Sequence, residues 1–490
     1  MHIARLSTMP ASTLRCKCVR FYGLHLRHLH SSPRMQTATR PREIPAEWLR
    51  RIVEDGAKPP TLYAWTPKNL AVEGGTSRDF DQGSYTEDTV NALGNSDVRR
   101  RIYILGIGNI GRLYAMCLSK LTNRPPITLV VHRRELLERW AAAPGISLTR
   151  YGVAHKNSEF DIEWWTEEAP RHGDVAEVVA GQSIPNLIAA TKASDAMPQV
   201  DRVRRYLGSN SAVAFAQNGM CKLWPPLGDA YVRARFPDVA SPHWVACVTT
   251  HGVTSQGPFK STHASPADAL VGPVMPGGGE DQAGRKQAEY LIRQIASAPD
   301  LDAREVSRKE LWVAQLEKLV VNATINPLTA VLRCKNGELF AAREDALPAI
   351  MDKLLSEASE LLSALVMSSK SDEILNSEPV CQGVIANDPA DGPPEASREQ
   401  LLERFSFPRL RKMILDVGAK VGENTSSMLQ DVRAGKATEI DDFNGWLVDT
   451  ARLLGQGLRL PTHEKLITLV KYQVTLNRIE LCEALLNKTS

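Results

Sequence analysis

The sequence predicts two folded parts in tandem, an α/β part built on a parallel sheet and an all-α part, and three observations predict them. Short apolar runs of strand length recur from Ile102 onward. The first two are joined by a glycine-rich turn and a helical stretch, a β-α-β unit of about thirty residues whose right-handed crossover makes its strands parallel. From Glu305 the apolar period becomes helical and mostly stays so. The boundaries that follow are 99–295 for the α/β domain and 300–485 for the helical one. A Pro-, Gly- and Asp-rich interruption at 371–397 reads as a loop between helices. At 490 residues, with 43% apolar and 23% charged residues, the chain is neither collagen-like, wholly disordered nor a disulfide scaffold. No apolar run approaches the ~18–20 residues that span a bilayer, so no membrane span is expected.

The elements follow in order. Residues 1–42 hold eight basic residues and no acid, together with Ser, Thr and four histidines. They lack the apolar stretch of a secretory signal. Arg-rich, hydroxyl-rich and acid-poor is the pattern of a mitochondrial transit peptide, which places the protein in the mitochondrion, with the matrix as its destination. A disordered basic tail is the plainer alternative, and Met35 could open a second, cytosolic form. Without those eight residues the chain carries 51 basic against 56 acidic side chains. The overall charge of +3 therefore gives no reason to expect a nucleic-acid surface. The eight cysteines (16, 18, 117, 221, 247, 334, 381 and 482) form no C-x-x-C pair, so neither a zinc site nor a disulfide framework follows. Residues 43–98 show little periodicity and read as an extension or linker, packed through Trp48, Tyr63 and Trp65.

At Arg99 the texture changes. The run Ile102-Tyr103-Ile104-Leu105 leads into Gly106-Ile107-Gly108-Asn109-Ile110-Gly111 and a helix to about Lys120. This is G-x-G-x-x-G in the context its physics requires, between a strand and a helix. The first glycine allows the tight turn, the second lets a pyrophosphate approach the backbone, and the third allows helix and strand to touch. Gly106, Gly108, Asn109, Ile110 and Gly111 are the candidate cofactor residues of a Rossmann-type dinucleotide-binding domain. A ligand-free tight turn gives the same letters. The second strand ends Val131-His132-Arg133-Arg134-Glu135, where an NAD site usually places an acid on the ribose 2′-hydroxyl. Guanidiniums there suit a 2′-phosphate, which favours NADP(H), with Arg133 as the contact. A solvated Arg-Arg-Glu at a helix start is the alternative. Further strands are expected at 186–190, 212–216 and 245–249.

The helical part carries helical period over 305–325, 342–370, 398–417, 438–454 and 462–482. In the first, Lys318, Asn322 and Asn326 recur at i, i+4 and i+8 and share one face. An ammonium beside two amides on an apolar helix could bind and protonate a carbonyl oxygen. Alternatively Lys318 is a surface residue and the two Asn cap a helix that ends before Pro327. A second polar segment runs from Glu423 to Asp431 and on to Asn444-Gly445. Asn424 or Thr425 reads as one helix cap, and Thr438 with Asp441 as another. The functional alternative has Ser427 and Glu439 facing Lys318 across a cleft.

Together these letters closely resemble the ketopantoate reductase family. The match rests on the glycine motif and on Lys318-Leu-x-Val-Asn322-x-x-x-Asn326-Pro-Leu-Thr-Ala, followed by Asn336-Gly-Glu-Leu. It continues in Glu423-Asn424-x-Ser-Ser427-Met-Leu-Gln-Asp and Thr438-Glu439-Ile-Asp441-x-x-Asn444-Gly445. Smaller matches are Ala190-Thr-Lys192-Ala, Gln217-Asn218-Gly219-Met220 and Thr249-Thr250-His251-Gly252. The resemblance covers roughly residues 100–482. It implies a Rossmann domain followed by a helical domain, with a small 2-oxo acid bound between them. It also implies NADPH-dependent reduction of 2-dehydropantoate to (R)-pantoate, on the route to pantothenate and coenzyme A. Lys318 would be the general acid and Glu439 its helper. Asn322, Asn326, Ser427 and Asn424 would hold the substrate, Asn218 would lie near substrate and nicotinamide, and Lys192 and Arg133 would contact the cofactor. The chain departs from the family pattern in its hundred-residue N-terminal extension, in the 371–397 insertion, and in Leu316 where a Trp is usual. The insertion stands where it could alter cleft closure or the association of two copies as a homodimer. Two alternatives remain: a reductase of another branched 2-oxo acid, and a mitochondrial binding protein that keeps the fold without catalysis.

Overall fold

The computed structural model describes residues 46–70, 95–237, 239–278, 282–341, 344–377, 396–455 and 457–486. Residues 1–42, Met35 among them, and most of the 371–397 insertion lie outside the described residues. Thirteen strands are described in chain order: β1 Tyr63–Trp65, β2 Ile102–Leu105, β3 Ile127–Val131, β4 Ile146–Arg150, β5 Val153–Asn157, β6 Asp161–Thr166 and β7 Asn186–Ala189. β8 Ala212–Ala216, β9 His243–Thr249, β10 Gly252–Gly257, β11 Lys260–Ser265, β12 Ala269–Met275 and β13 Ala303–Glu305 complete them. Nine of them form one sheet in the order β1-β6-β3-β2-β7-β8-β9-β12-β13. From β6 across to β9 every neighbouring pair is parallel, and β1 and β12 pair antiparallel. The chain moves outward from β2 in one direction through β3 and β6, then returns to β7 on the other side. That reversal, between β2 and β7, opens the crevice where ligands of such sheets bind, beyond the carboxyl ends of the strands.

The central strands are buried on both faces, as their continuous apolar runs require. Alternate residues feed two cores. Leu187, Val213, Phe215, Trp244 and Ala246 point to one that continues into the helical part, through Trp312, Leu316 and Leu319. Ile188, Ala214, Val245 and Cys247 point to the other, beneath the helices Asn109–Leu118 and Gln282–Ala296. The helical half therefore shares a core with one face of the sheet. Both lie in a single compact unit, Ile44–Ser490.

The N-terminal extension is tied to that unit where it is described. Helix Glu47–Glu54 receives Arg235 at the Asp55 carbonyl (2.8 Å), and the Leu62 amide donates to the Tyr206 hydroxyl at 2.8 Å. β1 adds an edge strand, with Trp65 packed on Trp164 at 5.4 Å. A second sheet, ordered β10-β11-β4-β5, has no counterpart in the sequence reading. Its strands are mostly polar (Gly-Val-Thr-Ser-Gln-Gly, Lys-Ser-Thr-His-Ala-Ser, Val-Ala-His-Lys-Asn) and lack the apolar run that marks a buried strand.

In the helical part the chain departs from the expected spans at turn chemistry. The first helix runs Arg308–Leu332, capped by Ser307, and passes through Pro327. The two asparagines thus sit within a helix and do not cap its end. The 342–370 segment is a helix over Leu347–Met367, and the 398–417 segment is two helices, Arg398–Arg404 and Phe407–Lys420. The cap of helix Ser427–Arg433 is Ser426, which accepts the Leu429 amide at 3.1 Å, and neither Asn424 nor Thr425. The expected Thr438 cap is not formed. The Glu439 carbonyl instead accepts from the amides of Asp442 and Phe443, and a wide π-turn over Asp441–Gly445 leads into helix Trp446–Leu454.

Candidate active site

The glycine loop follows β2 at the crevice. Gly106 holds φ +97°, a conformation that favours glycine, and a Cβ on Gly111 would lie 2.1 Å from the Gly106 carbonyl oxygen. Gly108 is different: a Cβ there would meet no atom of the described residues within 4 Å. It begins helix Asn109–Leu118, whose first turn has no side-chain cap. Unpaired amides beside open space are what a pyrophosphate needs, so the residues present fit a dinucleotide. The Asn109 side chain is committed elsewhere, donating to the Val253 carbonyl (3.2 Å) and accepting from Ser261 (3.0 Å). It and the partly buried Ile110 therefore contribute backbone to this end. Arg112, buried, donates to the carbonyls of Ile107, Gly257 and Lys260 and fastens the loop to the β10–β11 hairpin. Arg133 stands exposed at the end of β3, 4.0 Å from Glu135.

The chemical end gathers around Lys318. Its ammonium donates to Asn218 Oδ1 at 3.0 Å and to the Thr249 carbonyl at the end of β9. Burial pushes its pKa down from 10.5 to about 8, and the negative charges of Glu439 and Asp268 oppose that fall. The group thus remains mostly protonated near neutrality yet is a far stronger acid than an ordinary lysine. Asn218 follows β8, and the Thr249 hydroxyl meets that of Tyr114 at 2.7 Å.

Glu439 is buried. Its carboxylate accepts the Ala193 amide at 3.1 Å, at the first turn of helix Ala193–Arg202 that follows β7. Burial raises its pKa, with Asp442 adding to the rise and the Ala193 amide and Lys192 opposing it. It acts on Lys318 through charge, with no ion pair between them among the described residues. Asn322 lies one turn beyond Lys318, partly buried, and Asn326 donates to the Ser427 hydroxyl at 3.4 Å. Ser427 is exposed at the start of its helix, beside Ser426, whose hydroxyl meets Thr329 at 2.7 Å.

Two expected residues are engaged within the protein. Lys192 is engaged with Asp431 (2.9 Å) and the Ala437 carbonyl (2.6 Å), a strap between the loop after β7 and the helical part. Asn424 is held through its backbone, its amide bonding Val421 and its carbonyl accepting the Asn336 amide. Sequence reading assigned no role to the Thr249 carbonyl, and no signal marks it, since every residue has a carbonyl. It also missed the pair of partly buried Lys222 and buried Asp442, 2.9 Å apart, that closes the same domain boundary.

A dinucleotide cradle at one side of a sheet crevice and an acidified lysine at the other define a dinucleotide-dependent carbonyl oxidoreductase. Comparison with known proteins gives the family. Residues 102–276 match the model described as ketopantoate reductase PanE/ApbA, and residues 310–473 match its C-terminal model. Ketoisovalerate reductase BEA2 of Gibberella fujikuroi is 43% identical over 450 residues, covering 90% of this chain and 98% of that protein. Ketoisovalerate reductase of Beauveria bassiana is likewise 43% identical, over 455 residues with the same coverage. A probable 2-dehydropantoate 2-reductase of Schizosaccharomyces pombe is 29% identical, covering 77% of this chain and 97% of its own. Among solved structures, a PanE/ApbA family ketopantoate reductase from Ralstonia eutropha shares the fold at TM-score 0.52 and 17% identity, over 76% of this chain and 98% of its own. The chain belongs to the ketopantoate reductase family: it is an oxidoreductase that interconverts the ketone of a 2-oxo acid and the corresponding alcohol, with a nicotinamide dinucleotide as cofactor.

Proposed function

We propose that this protein reduces ketoisovalerate, a branched 2-oxo acid, to 2-hydroxyisovalerate with NADPH. The observation that carries the reduction is the ammonium of Lys318, enclosed between Asn218 and the Thr249 carbonyl with its pKa lowered to about 8. The choice of substrate is supported by two relatives, both named ketoisovalerate reductase, that match at 43% over almost their whole length. A dinucleotide held at the Gly106–Gly111 loop would supply the hydride for the ketone carbon. Lys318 donates a proton to the ketone oxygen as negative charge develops there, and Asn218 orients the ammonium. Glu439 keeps the lysine charged at a distance. Asn322, Asn326 and Ser427 offer amide and hydroxyl donors to the substrate carboxylate. Arg133, exposed beside the helix that follows β3, supplies the cation for a 2′-phosphate and is the reason to prefer NADPH.

The second reading is reduction of 2-dehydropantoate, favoured by the motif around Lys318 and by the Schizosaccharomyces pombe relative. The two substrates differ by a terminal hydroxymethyl group. NADPH oxidation by the purified protein, with each acid in parallel, tests the choice. Ketoisovalerate is expected to give the higher kcat/KM by about tenfold or more, the discrimination that one added group in a pocket supports. A preference for 2-dehydropantoate would transfer the assignment to the second reading, and no turnover with either would end both. The acid-free leader is the basis for proposing a mitochondrial location. Residues 1–42 fused to a fluorescent reporter should carry it into mitochondria, and a diffuse cytosolic signal would refute this.

A further inference from the structure

Asn444, at the end of the motif that carries Glu439, has no part in the chemistry above, yet it is fully buried beside the lysine helix. That helix runs Arg308–Leu332 with Pro327 inside it. An α-helical residue 327 would donate its N–H to the carbonyl of residue 323. Proline has no N–H, and its ring crowds the same carbonyl. Asn444 Nδ2 donates to the Ala323 carbonyl oxygen at 2.9 Å. We propose that Asn444 is a positioning residue for the reaction: its amide replaces the backbone donor that Pro327 lacks, and so fixes the turn bearing Asn322 and Asn326 in register with Lys318.

Three further observations support the assignment. The same nitrogen lies 2.9 Å from His463 Nδ1, and His463 Nε2 lies 3.1 Å from the Leu354 carbonyl. A ring that donates through Nε2 must accept at Nδ1, so the amide's NH2 end, not its oxygen, is turned toward both His463 and Ala323. His463 is itself fully buried, and burial holds its pKa down at about 4, which keeps that tautomer neutral. Asn444 also sits in the π-turn Asp441–Gly445, a local widening that re-aims side chains and is frequent at functional sites. That turn begins two residues after Glu439, whose carbonyl accepts the Asp442 and Phe443 amides. One side-chain bond therefore links the element carrying Lys318, Asn322 and Asn326 to the element carrying Glu439.

The test is a cycle of four proteins: wild type, Asn444→Leu, Pro327→Ala and the double variant. Pro327→Ala returns a backbone donor to Ala323, so it should make Asn444 dispensable. Two quantities are read: the thermal midpoint without substrate, and kcat/KM for NADPH-dependent reduction of ketoisovalerate at a temperature where all four are folded. With Pro327 present, Asn444→Leu should lower the midpoint by several degrees and kcat/KM about tenfold. In the Pro327→Ala background it should cost less than half that shift and no more than about threefold in kcat/KM. The lost His463 contact is common to both backgrounds and cancels. Equal losses in the two backgrounds would overturn the proposal. Coupling in the midpoint without coupling in kcat/KM would overturn the positioning role and leave a structural prop. The activity arm rests on the proposed reduction. Were wild type to reduce neither acid, that reading and the positioning role would fall together, while the midpoints would still decide whether Asn444 answers Pro327. If Asn444→Leu does not fold, Asn444→Ser, too short to reach Ala323, carries the same cycle.

Discussion

The two ends of the crevice are built on opposite principles. The cradle at the cofactor end is contiguous: six residues, Gly106 to Gly111, make a turn and a helix start that present backbone, and the missing side chains of its glycines are its working feature. The chemical end is assembled from afar. Lys318 meets Asn218 and Thr249 across 100 and 69 residues of chain, and Glu439 meets Ala193 across 246. One end should therefore fail by steric intrusion, the other by loss of charge placement, and substitutions can separate the two.

The largest effect is expected at the lysine. Lys318→Ala should lower kcat by about 10²–10⁴-fold, the usual worth of a positioned general acid, with NADPH affinity little changed. Retention of full kcat would remove Lys318 from the proton transfer. The pH dependence gives the sign independently. The reduction needs the ammonium, so its rate should fall as pH rises through about 8, where the buried group deprotonates. Alcohol oxidation, which needs the free amine, should rise over the same interval. Stability runs with the lowered pKa: the unfolded chain binds the extra proton between about 8 and 10.5, so this lysine destabilises the fold below that window and ceases to do so above it. Lys318→Met should accordingly raise the thermal midpoint at pH 7 but not near pH 11, and an equal effect at both would contradict burial as the cause.

At the cofactor end, two alanines should behave differently. Gly111→Ala places a Cβ against the Gly106 carbonyl and should cost about 1–3 kcal/mol of stability along with cofactor binding. Gly108→Ala meets no atom of the described residues and keeps an ordinary φ of −77°, so its thermal midpoint should match wild type. Its Cβ would occupy the space assigned to pyrophosphate, and the NADPH dissociation constant should rise about tenfold or more. If titration shows unaltered affinity for Gly108→Ala, the cradle is not where the dinucleotide lies. Smaller still is Arg133→Ala, expected to weaken NADPH about tenfold and NADH less than twofold, the loss of one charge-assisted contact. Equal effects on the two would remove the 2′-phosphate from Arg133.

The same contrast explains what could be read from sequence. The β-α-β unit was legible because its apolar runs and glycines are local and each answers to one physical demand. Lys318, Asn322 and Asn326 were legible as a face because helical spacing is local too. Their partners were not: nothing in Thr249 distinguishes its carbonyl from any other, and Asn218 was reached only through family resemblance. Turn chemistry was misjudged where one polar residue stood beside another. Ser426 takes the cap expected of Asn424 or Thr425, and the helix continues through Pro327, where Asn444 lies ready with a donor from 121 residues away. The polar strands β10 and β11 were missed because they are half-exposed and bury little apolar surface of their own.

The smallest effect tests whether the chemical end depends on its scaffold as closely as the cofactor end does. Ser426 accepts the Leu429 amide and shares a hydrogen bond with Thr329, three residues beyond Asn326 on the lysine helix. It thereby sets where Ser427 begins its helix relative to Asn326. Ser426→Ala removes a cap worth about 1 kcal/mol and leaves the buried Thr329 hydroxyl with one partner fewer, so the thermal midpoint should fall by about 2–4 °C. If the cap also aims Ser427, the KM for the 2-oxo acid should rise about two- to threefold while kcat and the NADPH dissociation constant stay put. A lowered midpoint with unchanged KM would show that the side chains around Lys318 tolerate a shift of their supports, and that placement there is set by the lysine helix alone.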